Sequence, residues 1–172
     1  MNVSEDHTRL TIFKLYGIKS LDEIGTIVAK VESGFDANTK DSGGRTLLMQ
    51  AVIERDHELM NFLVKNGCDV NLQDDRLWTA LHFAAQNSDQ EAVKILLDNN
   101  RDVTKIDDYG NSILSTAVFN SKGECDVIKL LLSFGANAKI KNKNGVSAKS
   151  LARTISNYNL QKCFEDSEPS LD

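Results

Sequence analysis

At 172 residues, with 41% hydrophobic and only 6% aromatic content, the chain can bury a core, but one built from Leu, Ile, Val and Ala rather than from large rings. A net charge of -5 argues against a nucleic-acid-binding module, whose contact face needs clustered cations. No run approaches the roughly 18 apolar residues of a membrane helix, and Met1 to Asp6 lead no basic segment into an apolar one, so a soluble, cytoplasmic protein is expected.

From the N-terminus, Leu10, Phe13, Leu15 and Tyr16 fall near helical spacing and stop at Gly17. Ser20 and Glu23 have the form of a capping box, and Leu21, Ile24, Ile27, Val28 and Val31 make the apolar stripe of a helix that Gly34 can end. This pair is read as a cap over residues 1–40.

A repeat of 33 positions follows: Thr46, Leu48, Ala51, Leu63 and Asp69 fall on Thr79, Leu81, Ala84, Leu96 and Asp102. Ser112, Leu114 and Ala117 begin a third copy, which has gained two residues around Ser121 to Glu124. Each unit is too small to bury its own apolar face, which is the mark of a stacked-repeat protein. In each, a turn (Asp41-Ser42-Gly43-Gly44, Asp74-Asp75-Arg76-Leu77, Asp107-Asp108-Tyr109-Gly110) precedes a first helix from Leu47, Ala80 or Ile113. A second helix carries Leu59 to Leu63, Ala92 to Leu96 or Val127 to Leu131 and ends at Gly67, Asn100 or Gly135. Ser88 to Glu91 has the form of a capping box for one of them.

The period and the run Thr79-x-Leu81-His82-x-Ala84 resemble the ankyrin repeat, over residues 41–140 and in degraded form beyond, where Gly145, Ser147, Leu151 and Ala152 look like a fourth start. The resemblance implies an all-α solenoid: a cap and partial repeat over 1–40, repeats at 41–73, 74–106 and 107–141, a capping repeat at 142–164 and a disordered acidic tail at 165–172. Departures are Leu47, Ala80 and Ile113 in place of the motif proline, and Leu77 in place of a finger glycine, which suggests a strained or altered second finger.

The candidate chemistry is sparse. His82 resembles the ankyrin histidine that bonds backbone between repeats, and His7 and His57 are isolated in sequence. Cys68, Cys125 and Cys163 are odd in number, far apart and form no C-x-x-C pair, so neither a disulfide framework nor a zinc site is expected, and the compartment is read as reducing. The Asp74-Asp75 and Asp107-Asp108 doublets recur with the repeat, which favours exposed turns over a cation site. Acidic groups crowd residues 41–126, whereas 127–164 hold seven Lys or Arg and no Asp or Glu, so the stack is expected to be dipolar, its basic end a solvated cap. No enzyme activity, metal or cofactor is expected.

What the resemblance implies instead is protein binding, by a monomer, through the concave face of finger tips and first helices. Carried over by position, that face holds Ser42, Gly43, Arg45, Ile53 and Glu54 in the first repeat, and Asp75, Arg76, Trp78, Gln86 and Asn87 in the second. In the third it holds Asp108, Tyr109, Asn111, Phe119 and Asn120. Trp78, Arg76 and Tyr109 are of the residue types most enriched at binding hot spots, although Trp78 could equally fold back over Leu77 as a local cover. Two rivals stay open: an inhibitor or immunity protein that neutralises an enzyme or toxin, and a metal-dependent enzyme using the acidic ridge.

Overall fold

Four times along the chain a Ser or Thr in extended conformation halts the backbone and caps the helix that follows. Thr46, Thr79, Ser112 and Ser147 each accept, through the side-chain oxygen, the amide three residues on. Such a cap contributes about 1 kcal/mol relative to alanine. The helices begun in this way are α2 (Leu47–Glu54), α4 (Ala80–Gln86), α6 (Ile113–Asn120) and α8 (Ala148–Thr154). The computed structural model describes residues 24–34, 36–99 and 102–167.

Second helices alternate with these: α3 (His57–Lys65), α5 (Gln90–Asp98) and α7 (Asp126–Ser133), with α1 (Ile24–Glu32) ahead of them all and a 3-10 turn, Gln161–Ser167, after α8. Asp56 and Asp89 cap α3 and α5 by accepting the Leu59 and Ala92 amides at 2.9 and 3.0 Å. Asp89, rather than Ser88, is therefore the cap of α5: Ser88 sits one residue earlier with φ of 50°, and its hydroxyl donates to the Asn120 carbonyl. The short helix and capping box expected over residues 5–23, the Asn100 helix end, and residues 168–172 of the acidic tail lie outside the described residues. Glu165 to Ser167, the start of that tail, belong to the 3-10 turn.

Among the described residues there are eight α-helices and no strands, only two isolated bridges, Ile106 with Ser112 and Lys141 with Ser147, at the bases of fingers. First helices stack on first helices (α2 on α4, α4 on α6, α6 on α8) and second on second (α3 on α5, α5 on α7). Close stacking requires small side chains, and Ala51, Ala84, Ala117 and Ala148 are all at 1% exposure or less. Leu47, Leu59, Leu63, Leu97, Ile113 and Leu131 fill the space between layers, each buried aliphatic chain worth roughly 1.5–3 kcal/mol. Ile27 of α1 is fully buried and Val31 packs on the same core.

One expectation fails. Cys125 is disulfide-bonded to Cys163 across 38 residues, with Cα atoms 5.2 Å apart. The chain after α8 folds back on α7 and carries Cys163 to a cysteine that sequence distance had seemed to put out of reach. The case for a reducing compartment falls with it. Cys68 remains free and buried, its thiol pushed up to about 11 by burial and by the nearby Asp36 carboxylate, which makes it unreactive.

Candidate functional site: a groove walled by fingers and first helices

Each finger is wound around one side-chain oxygen. Asp41 Oδ1 accepts the amides of Gly43 and Arg45, Asp74 Oδ1 those of Arg76 and Trp78, and Asp107 Oδ1 those of Tyr109 and Asn111. Asn142 does the same for Asn144 and Val146, which gives the fourth start a finger like the others. The acidic doublets are therefore not a uniform exposed ridge. Asp74 and Asp107 are buried turn formers, Asp75 is exposed, and Asp108 is half-buried. Successive fingers are joined by single backbone bonds, from Asp75 to Gly43, Asp108 to Arg76 and Lys143 to Tyr109, at 3.0–3.1 Å.

That closeness explains the finger glycine. A β-carbon on Gly44, whose φ is 74°, would lie 2.6 Å from Asp75 Oδ1 and 2.8 Å from its backbone nitrogen. Leu77 takes the equivalent place in the second finger and keeps the same left-handed conformation, φ 60°, at a cost of about 1–2 kcal/mol for its β-carbon. Its side chain is 44% exposed, so its own fold returns little for that strain. The second finger is strained, as its sequence suggested.

The motif residues are structural. Leu81, His82 and Ala84 are buried, and His82 Nδ1 accepts the Thr79 amide at 3.1 Å. Nδ1 is thus the unprotonated nitrogen and Nε2 carries the hydrogen. Burial lowers the His82 pKa to about 4, overriding the Asp107 carboxylate and the Asn111 carbonyl of the next repeat, both of which favour the charged ring. Nε2 makes no hydrogen bond of ordinary geometry. His57, isolated in sequence, is not isolated in space: Nε2 lies 2.8 Å from Asp89 Oδ2 and Nδ1 3.1 Å from Glu91 Oε2, tying the first repeat to the second.

Between the second, third and fourth fingers and helices α4, α6 and α8 lies a cavity of about 410 Å³. Five of the expected binding residues line it: Trp78, Gln86, Asn111, Phe119 and Asn120. Asp107, Ser115, Thr116, Asn142, Val146 and Leu151 complete the walls and were missed; the last three belong to the fourth finger and helix, which the sequence reading treated only as a cap. Trp78 is half-buried, its ring 5.0 Å from Phe83 and 5.7 Å from His82, with Arg76 above it at 4.9 Å and Arg45 over Phe83 at 5.3 Å. Both guanidinium groups reach toward Asp74 Oδ2, at 4.0 and 3.9 Å. Trp78 therefore packs onto its own first helix and also lines the groove.

The other expected residues divide. Tyr109, 65% exposed, and Arg76, Asp75 and Ser42 are exposed on the finger tips, outside the cavity. Asn87 is spent inside the fold, its amide donating to the Val52 carbonyl and its own carbonyl accepting from Arg55. Asn111 is likewise held, between Asp107 Oδ2 and Asn142 Nδ2. Ile53 is half-buried against the core, whereas Glu54 is exposed. Among the described residues no group of three or more His, Cys, Asp or Glu could hold a metal ion, and no helix is long and apolar enough to cross a membrane.

Finger, helix, loop and helix, stacked so that each layer completes the core of the next, define an all-α repeat solenoid. A family model of ankyrin repeats, in three copies, matches residues 48–144, more than half of the chain. The chain belongs to the ankyrin repeat family, whose members are generally protein–protein interaction modules and typically not enzymes. No curated protein matches it.

Proposed function

We propose that this chain is a non-enzymatic module that binds a partner protein in the groove between its fingers and first helices. The observation that carries this reading is apolar surface left uncovered on one face. Phe119 is 71% exposed on the wall of the cavity, and Tyr109 and Leu77 stand exposed on the finger tips beside it. Covering such a side chain is worth roughly 1.5–3 kcal/mol, and aromatic anchors of this kind dominate interfaces.

The test uses the full chain as bait in a native extract, followed by affinity measurement on the captured protein. Phe119→Ala and Tyr109→Ala should each weaken binding by about 2 kcal/mol or more. Charge reversal at Asp75 should instead lower the association rate and alter its salt dependence, since rim charges steer encounter. Lys65 and Lys94, exposed on second helices, provide the control. Loss of binding on their replacement by alanine, with Phe119 and Tyr109 indifferent, would place the partner on the opposite face.

A further inference from the structure

The two residues gained by the third repeat lie between α6 and α7, and the chain after α8 is seated on them. The ring of Tyr158 rests against Gly123, where a β-carbon would come within 2.7 Å of Cδ1. Two residues further on, Cys125 occupies the N-cap position that Asp56 and Asp89 fill for α3 and α5, but it makes no side-chain cap bond and is bonded to Cys163 instead. Leu160, Cys163 and Phe164 are the buried residues of the returning segment, which packs on α7 and α8.

We propose that the Cys125–Cys163 disulfide is a thiol-exchange site, taking a low-molecular-weight thiol or dithiol as its reactant and latching the C-terminal turn onto the stack. The two sulfurs are not equally reachable. Cys163 is 1% exposed, whereas Cys125 is half-buried at a helix terminus, so an incoming thiolate attacks Cys125 Sγ. A bond forms between the attacking sulfur and Cys125 as the Cys125–Cys163 bond breaks; the electron pair leaves on Cys163 Sγ, which then takes a proton from solvent. A thiolate at Cys163, buried together with Leu160 and Phe164, is disfavoured by burial, the effect that holds Cys68 protonated in this same fold. Departure of Cys163 and movement of the turn into water are therefore one event. With a dithiol, the reagent's second sulfur displaces Cys125, leaving two protein thiols and an oxidised reagent.

Two readouts on the full chain test this, and neither involves a binding partner. Reduced glutathione applied under native conditions should give a mixed disulfide on Cys125, mapped by peptide mass, with Cys163 free. After reduction by dithiothreitol, amides of residues 155–167 should exchange about tenfold faster or more while those of 47–98 keep their rates, as expected when a local unit opens without the whole. The Cys125→Ser/Cys163→Ser double variant should show the same exchange pattern with no reductant present. An adduct on Cys163, a reduction rate that follows global unfolding in urea, or unchanged exchange once the bond is open would each overturn the proposal.

Discussion

Mild acidification should destabilise this protein through His82. The ring is fully buried, with Nδ1 committed to the Thr79 amide, and its pKa is lowered to about 4 by burial, against about 6.5 in an unfolded chain. As pH falls, the unfolded chain takes up this proton near 6.5 and the folded chain refuses it until about 4. Stability is therefore complete above 6.5, declines between the two values, and loses nothing more from this group below the lower one. At 1.36 kcal/mol per pH unit the full loss is roughly 3 kcal/mol, of which about 2 kcal/mol has accrued at pH 5. Asp89 and Asp102 titrate lower and do not intrude. Burial opposes ionisation of Asp89, but the Ala92 amide and His57 outweigh it, and the Thr104 hydroxyl and amide hold Asp102 down. Urea unfolding at pH 7, 6 and 5 measures the slope, with His82→Gln as reference. That variant should be less stable at pH 7 and lack about 2 kcal/mol of the acid-dependent loss. Equal slopes for the two proteins would refute the neutral, buried imidazole.

Two other perturbations follow from the fold. Leu77→Gly should raise stability by about 0.5–1 kcal/mol, relief of the left-handed β-carbon outweighing the added freedom of the unfolded chain, and should weaken partner binding; a denaturant midpoint that drops would show Leu77 to be packed rather than strained. Removing residues 1–40 takes away Ile27, which is buried in the same core as Leu47, so the melting temperature of the remainder should fall, and an unchanged melt would show that these residues cap nothing.

The repeat period made the fold legible because the same signals mark every layer: a Ser or Thr cap, a small alanine, an apolar second helix. It also encodes contacts that were not read from it. Residues about one period apart lie side by side, and His57 with Asp89, Arg55 with Asn87 and Asn111 with Asn142 are separated by 31–32 positions. The inner position of each acidic doublet was misjudged for a different reason. Composition marks a turn, but only geometry shows that Asp74 and Asp107 face inward to collect two amides each. Least legible was the Cys125–Cys163 pair, because it joins a repeat to a segment that does not obey the repeat. Val146 and Leu151 escaped as groove walls because the expected face was carried over three fingers, whereas the cavity is closed by a fourth.

Trp78 is the only tryptophan in the chain, and its indole contacts the Arg76 guanidinium and the Phe83 ring and lines the groove. The molecule therefore carries its own optical probe at the place where occupancy would be felt. A ligand that enters the groove displaces water from the indole and shifts the cation near the ring. Both changes alter emission wavelength and quantum yield without a label, so a fluorescence titration can screen candidate peptides on the native chain.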